Sequence, residues 1–158
     1  MKYHPFFCEE NIWHLCDARR NGWAVFVSNE KGAVYFENQR LQPSGLIWDY
    51  HVVYLGVDGQ IIDFDHDGDL ATPLHSWLSH SFSNSPEALE AKFNVVAADD
   101  YLLHFSSDRS HMIKNGVWLA PPPEWPTIGA GNALPTFLRL HSSWMTGDEL
   151  LHWQATLG

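Results

Sequence analysis

The sequence predicts an α+β domain in which helices flank a central, mostly antiparallel sheet. Three observations predict it. From Trp48 to Val57, the residues Val53, Leu55 and Val57 alternate with Val52, Tyr54 and Gly56, and β-branched and aromatic residues dominate, the pattern of a largely buried strand. That run turns at Asp58-Gly59 and returns as Gln60-Ile61-Ile62-Asp63-Phe64-Asp65, which places an antiparallel hairpin at the centre. Helix start and stop signals stand near both ends of the chain. With 158 residues, 45% of them hydrophobic, and with no repeat and no linker, residues 1–158 read as one domain able to bury a full core.

Phe6 to Gly22 reads as the first helix. Glu9 and Glu10 fill its first turn, Arg19 and Arg20 its last, and Asn21-Gly22 supplies the stop. Cys8, Ile12, Leu15 and Cys16 share one inward face. A thiol at a helix N-terminus feels the positive end of the dipole, which favours thiolate, although Glu9 and Glu10 oppose this unless they point outward. Trp23–Ser28 and Ala33–Glu37 follow as strands, joined as a hairpin by Asn29-Glu30-Lys31-Gly32. Pro43-Ser44-Gly45 breaks the chain before the central strand.

The turn after that strand decides a register. A two-residue loop puts Asp63 on the face opposite His51. A three-residue loop, Val57-Asp58-Gly59 with Gly59 left-handed, pairs Gly56 with Gln60 and Val53 with Asp63, and His51 and Asp63 become diagonal neighbours on one face. Beyond it, Asp63 to Asp69 resembles the first half of an EF-hand loop. Leu74 stands where the bidentate Glu is needed and a strand precedes the loop, so a solvated acidic turn is expected there, with casual cation binding left open.

Thr72-Pro73 and Ser85-Pro86 open short helices, Leu74–His80 and Glu87–Lys92. Phe93–Ala97 is a strand, and Asp99 caps a helix running through Phe105. Ser106–Met112 is a polar loop, Val117–Leu119 a short strand, and Pro121–Pro126 a stiff extended segment. Leu134–Leu140 is a helix. Thr146-Gly147-Asp148-Glu149 is a capping box for the last one, Asp148–Gln154.

Composition excludes several classes of function. Eight Trp and 14% aromatic content rule out a disordered chain. Nine Lys+Arg against nineteen Asp+Glu, a net charge of −10, argue against a nucleic-acid or anionic-membrane partner and suit a cationic ligand such as a free amino terminus. No apolar run approaches a membrane span, and Met1-Lys2-Tyr3-His4-Pro5 starts no signal peptide. Cys8 and Cys16 form neither a disulfide framework nor a zinc pattern. A cytoplasmic, reduced monomer is the expectation.

Ten histidines invite a metal reading, but none stands in a His-Glu-x-x-His or paired Cys/His pattern; no metal and no organic cofactor is expected. A lone His in a buried strand is ordinarily a satisfied core residue. His51 differs because a cysteine and an aspartate stand where a thiol–imidazole–carboxylate triad needs them. Cys8 would attack a carbonyl carbon, His51 would shuttle the proton, and Asp63 would fix the imidazole's tautomer and stabilise its cation. The order Cys on a helix N-terminus, His on a strand and Asp on the next strand resembles papain-like and transglutaminase-like cysteine hydrolases.

Longer motifs carry a closer resemblance. Cys8-Glu9-Glu10-Asn11-Ile12-Trp13, Trp48-Asp49-Tyr50-His51-Val52-Val53 and Ser107-Asp108-Arg109-Ser110-His111-Met112, followed by Pro121-Pro122-Pro123, are similar to the protein N-terminal glutamine amidohydrolases, named in places for their Trp-Asp-Tyr-His-Val motif. The resemblance runs from Phe7 to about Pro126. It implies hydrolysis of the side-chain amide of an N-terminal Gln to Glu and ammonia, a step that feeds N-degron proteolysis in eukaryotes, with the family's nucleophile, histidine and aspartate falling on Cys8, His51 and Asp63. A peptide or protein bearing N-terminal Gln would be the partner. A group must then recognise the free α-amine, and Glu9, Asp49 and Asp108 are candidates, with Trp48 as a pocket wall. The same triad also suits a toxin-like deamidase of internal Gln or a cysteine protease, and a non-enzymatic peptide-binding module is the remaining alternative.

Overall fold

A computed structural model describes residues 1–157. The order of elements is α1 (Cys8–Arg19), β1 (Trp23–Ser28), β2 (Val34–Phe36), β3 (Leu46–Trp48), β4 (His51–Leu55), β5 (Gln60–Ile62), β6 (Ala71–Pro73), α2 (Leu74–Phe82), β7 (Lys92–Ala97), α3 (Ala98–His104), β8 (Ile113–Lys114), β9 (Val117–Trp118), α4 (Leu134–Leu138) and α5 (Gly147–Ala155). Five strands form the central sheet in the order β6-β5-β4-β1-β7, every neighbouring pair antiparallel. The α+β expectation therefore stands, with an antiparallel sheet at its centre.

The period of two along each strand divides the core. Phe26 and Tyr54 pack with Ile12, Leu15, Tyr101 and Phe105 on one face of the sheet. Val25, Val53 and Leu55 pack with Trp77, Phe93 and Leu150 on the other. The sheet is covered on both faces, which is why β1 and β4 are buried nearly end to end.

Several expected elements differ. Trp48 does not begin the central strand: it ends β3, which pairs with β2, and β4 starts at His51. Between them, Ser28 Oγ donates to the Asp49 carbonyl, and the Tyr50 N–H donates to Asp49 Oδ1, so local side-chain bonds replace the ladder. The expected β1–β2 hairpin does not form. The Asn29 side chain accepts from the N–H groups of Lys31 and Ala33 and donates to the carbonyls of Ala33 and Glu90, which closes a compact loop and sends β2 into a separate two-stranded sheet. Glu87–Leu89 is only a 3-10 turn, because Lys92 already pairs with Ser28 in β7. Thr72 and Pro73 lie in edge strand β6, where a missing N–H is tolerated. Asp99 sits inside the first turn of α3, and α4 ends at Leu138. The capping box at Thr146 and Glu149 is present in both directions.

The β4–β5 register matters most for the site. The Gly56 N–H donates to the Gln60 carbonyl, Leu55 pairs with Ile61, and Tyr54 pairs with Ile62. Gly59 has a φ of +80° and its N–H donates to the Gly56 carbonyl, so the turn is the three-residue kind. Only this register leaves Asp63 on the face of His51.

Candidate active site

The site lies where the first turn of α1 meets the start of β4. Cys8 opens the helix with no side-chain cap, and the Val52 N–H of β4 is directed at its sulfur. His51 and Asp63 are both buried, and His51 Nε2–H donates to Asp63 Oδ1 at 2.8 Å. This commits one ring nitrogen to the carboxylate and leaves Nδ1 for other chemistry. Cys8 and His51 line one cavity of about 870 Å³, whose walls include Trp48, Asp49, Asp65 and His111.

Asp63 is held by more than His51. Its Oδ2 accepts from Gln39 Nε2 at 3.0 Å and from Trp77 Nε1 at 3.1 Å, and its Oδ1 also accepts from the Asp65 N–H. Gln39 in turn accepts from Trp48 Nε1 at 3.1 Å, and the Trp48 ring lies parallel to His51, centroids 5.8 Å apart. The imidazole is thus fixed by a bond at one end and an indole on one face. Burial alone would raise the Asp63 pKa, but the His51 charge and the hydrogen bonds from His51, Gln39 and Trp77 outweigh it and hold it down to about 2. For His51, burial acts downward and the fields of Asp63, Asp65 and Glu9 act upward, with the upward effects winning.

Cys8 is where the structure departs from expectation. Glu9 and Glu10 do not point outward; both are fully buried. Glu10 is neutralised by two bonds from Arg109, at 3.0 and 2.8 Å, and accepts from Trp125 Nε1. Glu9 has no arginine or lysine. Its Oε1 accepts from His111 Nε2 at 3.0 Å, and its Oε2 accepts from the Tyr50 hydroxyl at 3.0 Å and from the Cys8 thiol at 3.6 Å. Burial pushes the Cys8 thiol well up, and Glu9 and Asp65 add to it; the Val52 N–H opposes them and loses. Burial and the two carboxylates thus favour the thiol over the thiolate, against the pull of the helix N-terminus.

The remaining expected residues separate. Trp48 and Asp49 line the cavity. Glu9 lies beneath the cavity wall and does not, and Asp108 lies outside it, accepting from the Ser110 N–H. Asp65, Gln39, Trp77, Tyr50 and His111 were not singled out from the sequence, although Tyr50 and His111 stand within the quoted motifs. Asp63 and Asp65 turn toward His51, and these three side chains, with ligand atoms within 4.8 Å of one another, are the one group among the described residues able to hold a metal ion. Two of the three are already committed to each other by the 2.8 Å bond.

Comparison with known proteins gives the family of the chain. The sequence matches the family model described as N-terminal glutamine amidase over residues 3–154. The chain belongs to the N-terminal glutamine amidase family. Relatives include a protein N-terminal glutamine amidohydrolase of Bos taurus, 38% identical over 149 residues, covering 83% of this chain and 72% of that protein. The Homo sapiens counterpart is 36% identical, covering 83% and 73%, and that of Drosophila grimshawi 36%, covering 80% and 71%. The match to the family model extends past Pro126 to α5, beyond the stretch in which the motifs were evident. In this family member, no helix among the described residues is long and apolar enough to cross a membrane.

Proposed function

We propose that this protein hydrolyses the side-chain amide of an N-terminal Gln in peptides or proteins, giving N-terminal Glu and ammonia, through a Cys8–His51–Asp63 triad and a thioester. The observation that carries the reading is the buried 2.8 Å His51–Asp63 bond opening on the same cavity as Cys8, in a chain whose relatives are named for this activity. The reading is in keeping with the order of a cysteine at a helix start, a histidine on a strand and an aspartate after the next strand, which resembles papain-like and transglutaminase-like hydrolases.

The steps follow from the resting protonation state. Because Cys8 rests as a thiol, attack is coupled to proton transfer: the sulfur bonds to the amide carbon as its proton passes to His51 Nδ1, the nitrogen not committed to Asp63. The first N–H groups of α1, which have no intrahelical acceptor, stabilise the developing oxyanion. The intermediate collapses with cleavage of the C–N bond, and His51 returns the proton to the departing ammonia. Water then gives a proton to His51 and attacks the thioester; release of Glu restores the Cys8 thiol with that proton. Asp63 stays ionised throughout and stabilises the imidazolium. These residues complete the cycle by themselves, in one chain acting as a monomer.

Ammonia release from a Gln-initiated peptide, measured beside its N-acetylated and internal-Gln versions, tests the proposal. Release from the free-amine peptide alone is expected, abolished by Cys8→Ser with unchanged circular dichroism. Release from the internal-Gln peptide would make the protein a general deamidase, and activity surviving Cys8→Ser would remove Cys8 as nucleophile.

A further inference from the structure

An enzyme acting on N-terminal Gln must tell it from internal Gln, and the difference is one charge: an α-ammonium in place of an acylated, neutral nitrogen. The group that reads it must be anionic, must face the cavity shared by Cys8 and His51, and must lack a permanent cation. Most carboxylates near the site fail one of these conditions. Glu10 is neutralised by Arg109. Glu9 is fully buried, does not line the cavity, and has its oxygens occupied by Tyr50, His111 and Cys8. Asp63 is taken by His51, Gln39 and Trp77, and Asp108 is outside the cavity. Asp49 lines the cavity but is exposed, where solvent and salt screen its charge.

Resting on the function proposed above, we infer that Asp65 is the seat of the substrate's α-ammonium, a specificity-determining residue held in position by Tyr3. The Asp65 carboxylate lines the cavity and is only 22% exposed. Its Oδ1 accepts from the Tyr3 hydroxyl at 3.2 Å, and its Oδ2 stands 3.9 Å from His51 Nε2. Among the described residues, Oδ2 accepts no hydrogen bond and no Lys or Arg nitrogen lies within 4 Å of either oxygen. The α-nitrogen of Gln is a short aliphatic chain from its side-chain amide carbon, so a seat beside the histidine suits a carboxamide over Cys8.

Tyr3 belongs to a strap that is itself tied down. The His4 N–H donates to Asn11 Oδ1, Asn11 Nδ2 donates to the His4 carbonyl, and His4 Nε2–H donates to the Pro121 carbonyl. The Tyr3 ring lies against Phe64, and the Arg40 guanidinium sits 5.5 Å from its centroid. The strap thus closes one side of the seat and keeps Asp65 oriented with one oxygen free. An arriving ammonium would also cancel one of the negative fields that hold Cys8 protonated, so the feature that defines the substrate helps prepare the nucleophile.

A binding cycle tests this without turnover. In a Cys8→Ser background, dissociation constants are measured by calorimetry for a Gln-initiated peptide and for its des-amino counterpart, which carries a 4-carbamoylbutanoyl group in place of Gln. With Asp65 intact, loss of the amine is expected to weaken binding about 10- to 100-fold. With Asp65→Asn the two peptides are expected to bind alike, the des-amino peptide as tightly as before, while Asp65→Glu, which keeps the charge, retains part of the preference. An unchanged preference in Asp65→Asn would overturn the inference and leave Asp65 as a support for His51. Failure of the underlying function reading has a separate signature: no ammonia from any Gln peptide with the unaltered protein, whatever the binding cycle gives.

Discussion

Replacing Asp63 by Asn keeps the shape of the side chain, removes its charge, and should affect stability and activity with different dependences on pH. The ordinary Asp value of 3.8 is lowered to about 2 in the folded protein, a difference worth about 2 kcal/mol of stability at neutral pH. For a chain of this size that corresponds to a fall in Tm of about 4–8 °C. The stabilisation from a depressed carboxylate is complete above 3.8 and is lost as pH falls through about 2. His51 is the other half of the same interaction. Its value is raised above 6.5, so the ion-pair part is complete below 6.5 and fades as pH rises through the raised folded value. The stability gap between the parent and Asp63→Asn should therefore form a plateau between about pH 4 and 6.5 and narrow on both sides. Urea unfolding at pH 3, 5 and 9 measures it. Activity should fall about 1,000-fold or more, because the amide can present its NH₂ to His51 Nε2 and favour the wrong tautomer. A stability gap that stayed flat across that pH range would refute the assignment of an ionised Asp63 bonded to His51.

Two further perturbations probe the first turn of α1. Glu9→Gln removes the carboxylate 3.6 Å from the Cys8 sulfur, so alkylation of Cys8 by iodoacetamide at pH 7 should quicken several-fold, and an unchanged rate would show that burial alone sets the thiol. Arg109→Met strands the buried Glu10 carboxylate and should lower stability by about 3–5 kcal/mol in urea unfolding, with part of the loss recovered on adding Glu10→Gln; a loss under 1 kcal/mol would mean that Glu10 takes up a proton or finds another partner.

Much of the site was legible because it depends on local rules. Asp58-Gly59 marks the turn but fits a two-residue loop as well as a three-residue one, and it is the φ of +80° at Gly59 with the Gly56 bond to Gln60 that selects the register placing Asp63 diagonal to His51. Cys8 at a helix start was legible from the acidic and basic residues at the two ends of α1. What the sequence hid is long-range. Nothing local shows that Asn29 would bond across to Glu90 and break the expected hairpin, since its partner lies 61 residues away. Gln39 sits in an irregular stretch with no period to read, yet it bonds to Asp63 and Trp48 together. Glu9 and Glu10 looked like ordinary helix-dipole residues, and their burial depends on Arg109 and His111, which the chain supplies about a hundred positions later.

That last point bears on why the site and the fold stand or fall together. Three consecutive residues at the start of α1 serve three different sets of partners. Cys8 faces the cavity and the β4 backbone, while the Glu9 carboxylate takes Tyr50 and His111 and the Glu9 carbonyl accepts from the Tyr101 hydroxyl of α3 at 2.7 Å. Glu10 takes Arg109 and Trp125 and so fixes the irregular segment that brings His111 to the cavity wall. Two buried carboxylates raise the energy of the helix start unless these partners are in place. The first turn can therefore be stable only when the 107–126 segment, α3 and β4 have all docked, which is also the condition for the cavity to exist around Cys8. Placing the nucleophile at that junction ties its environment to completion of the fold, and the elevated thiol is the consequence: burial at the junction raises it first, and the Glu9 carboxylate that anchors the junction adds to it.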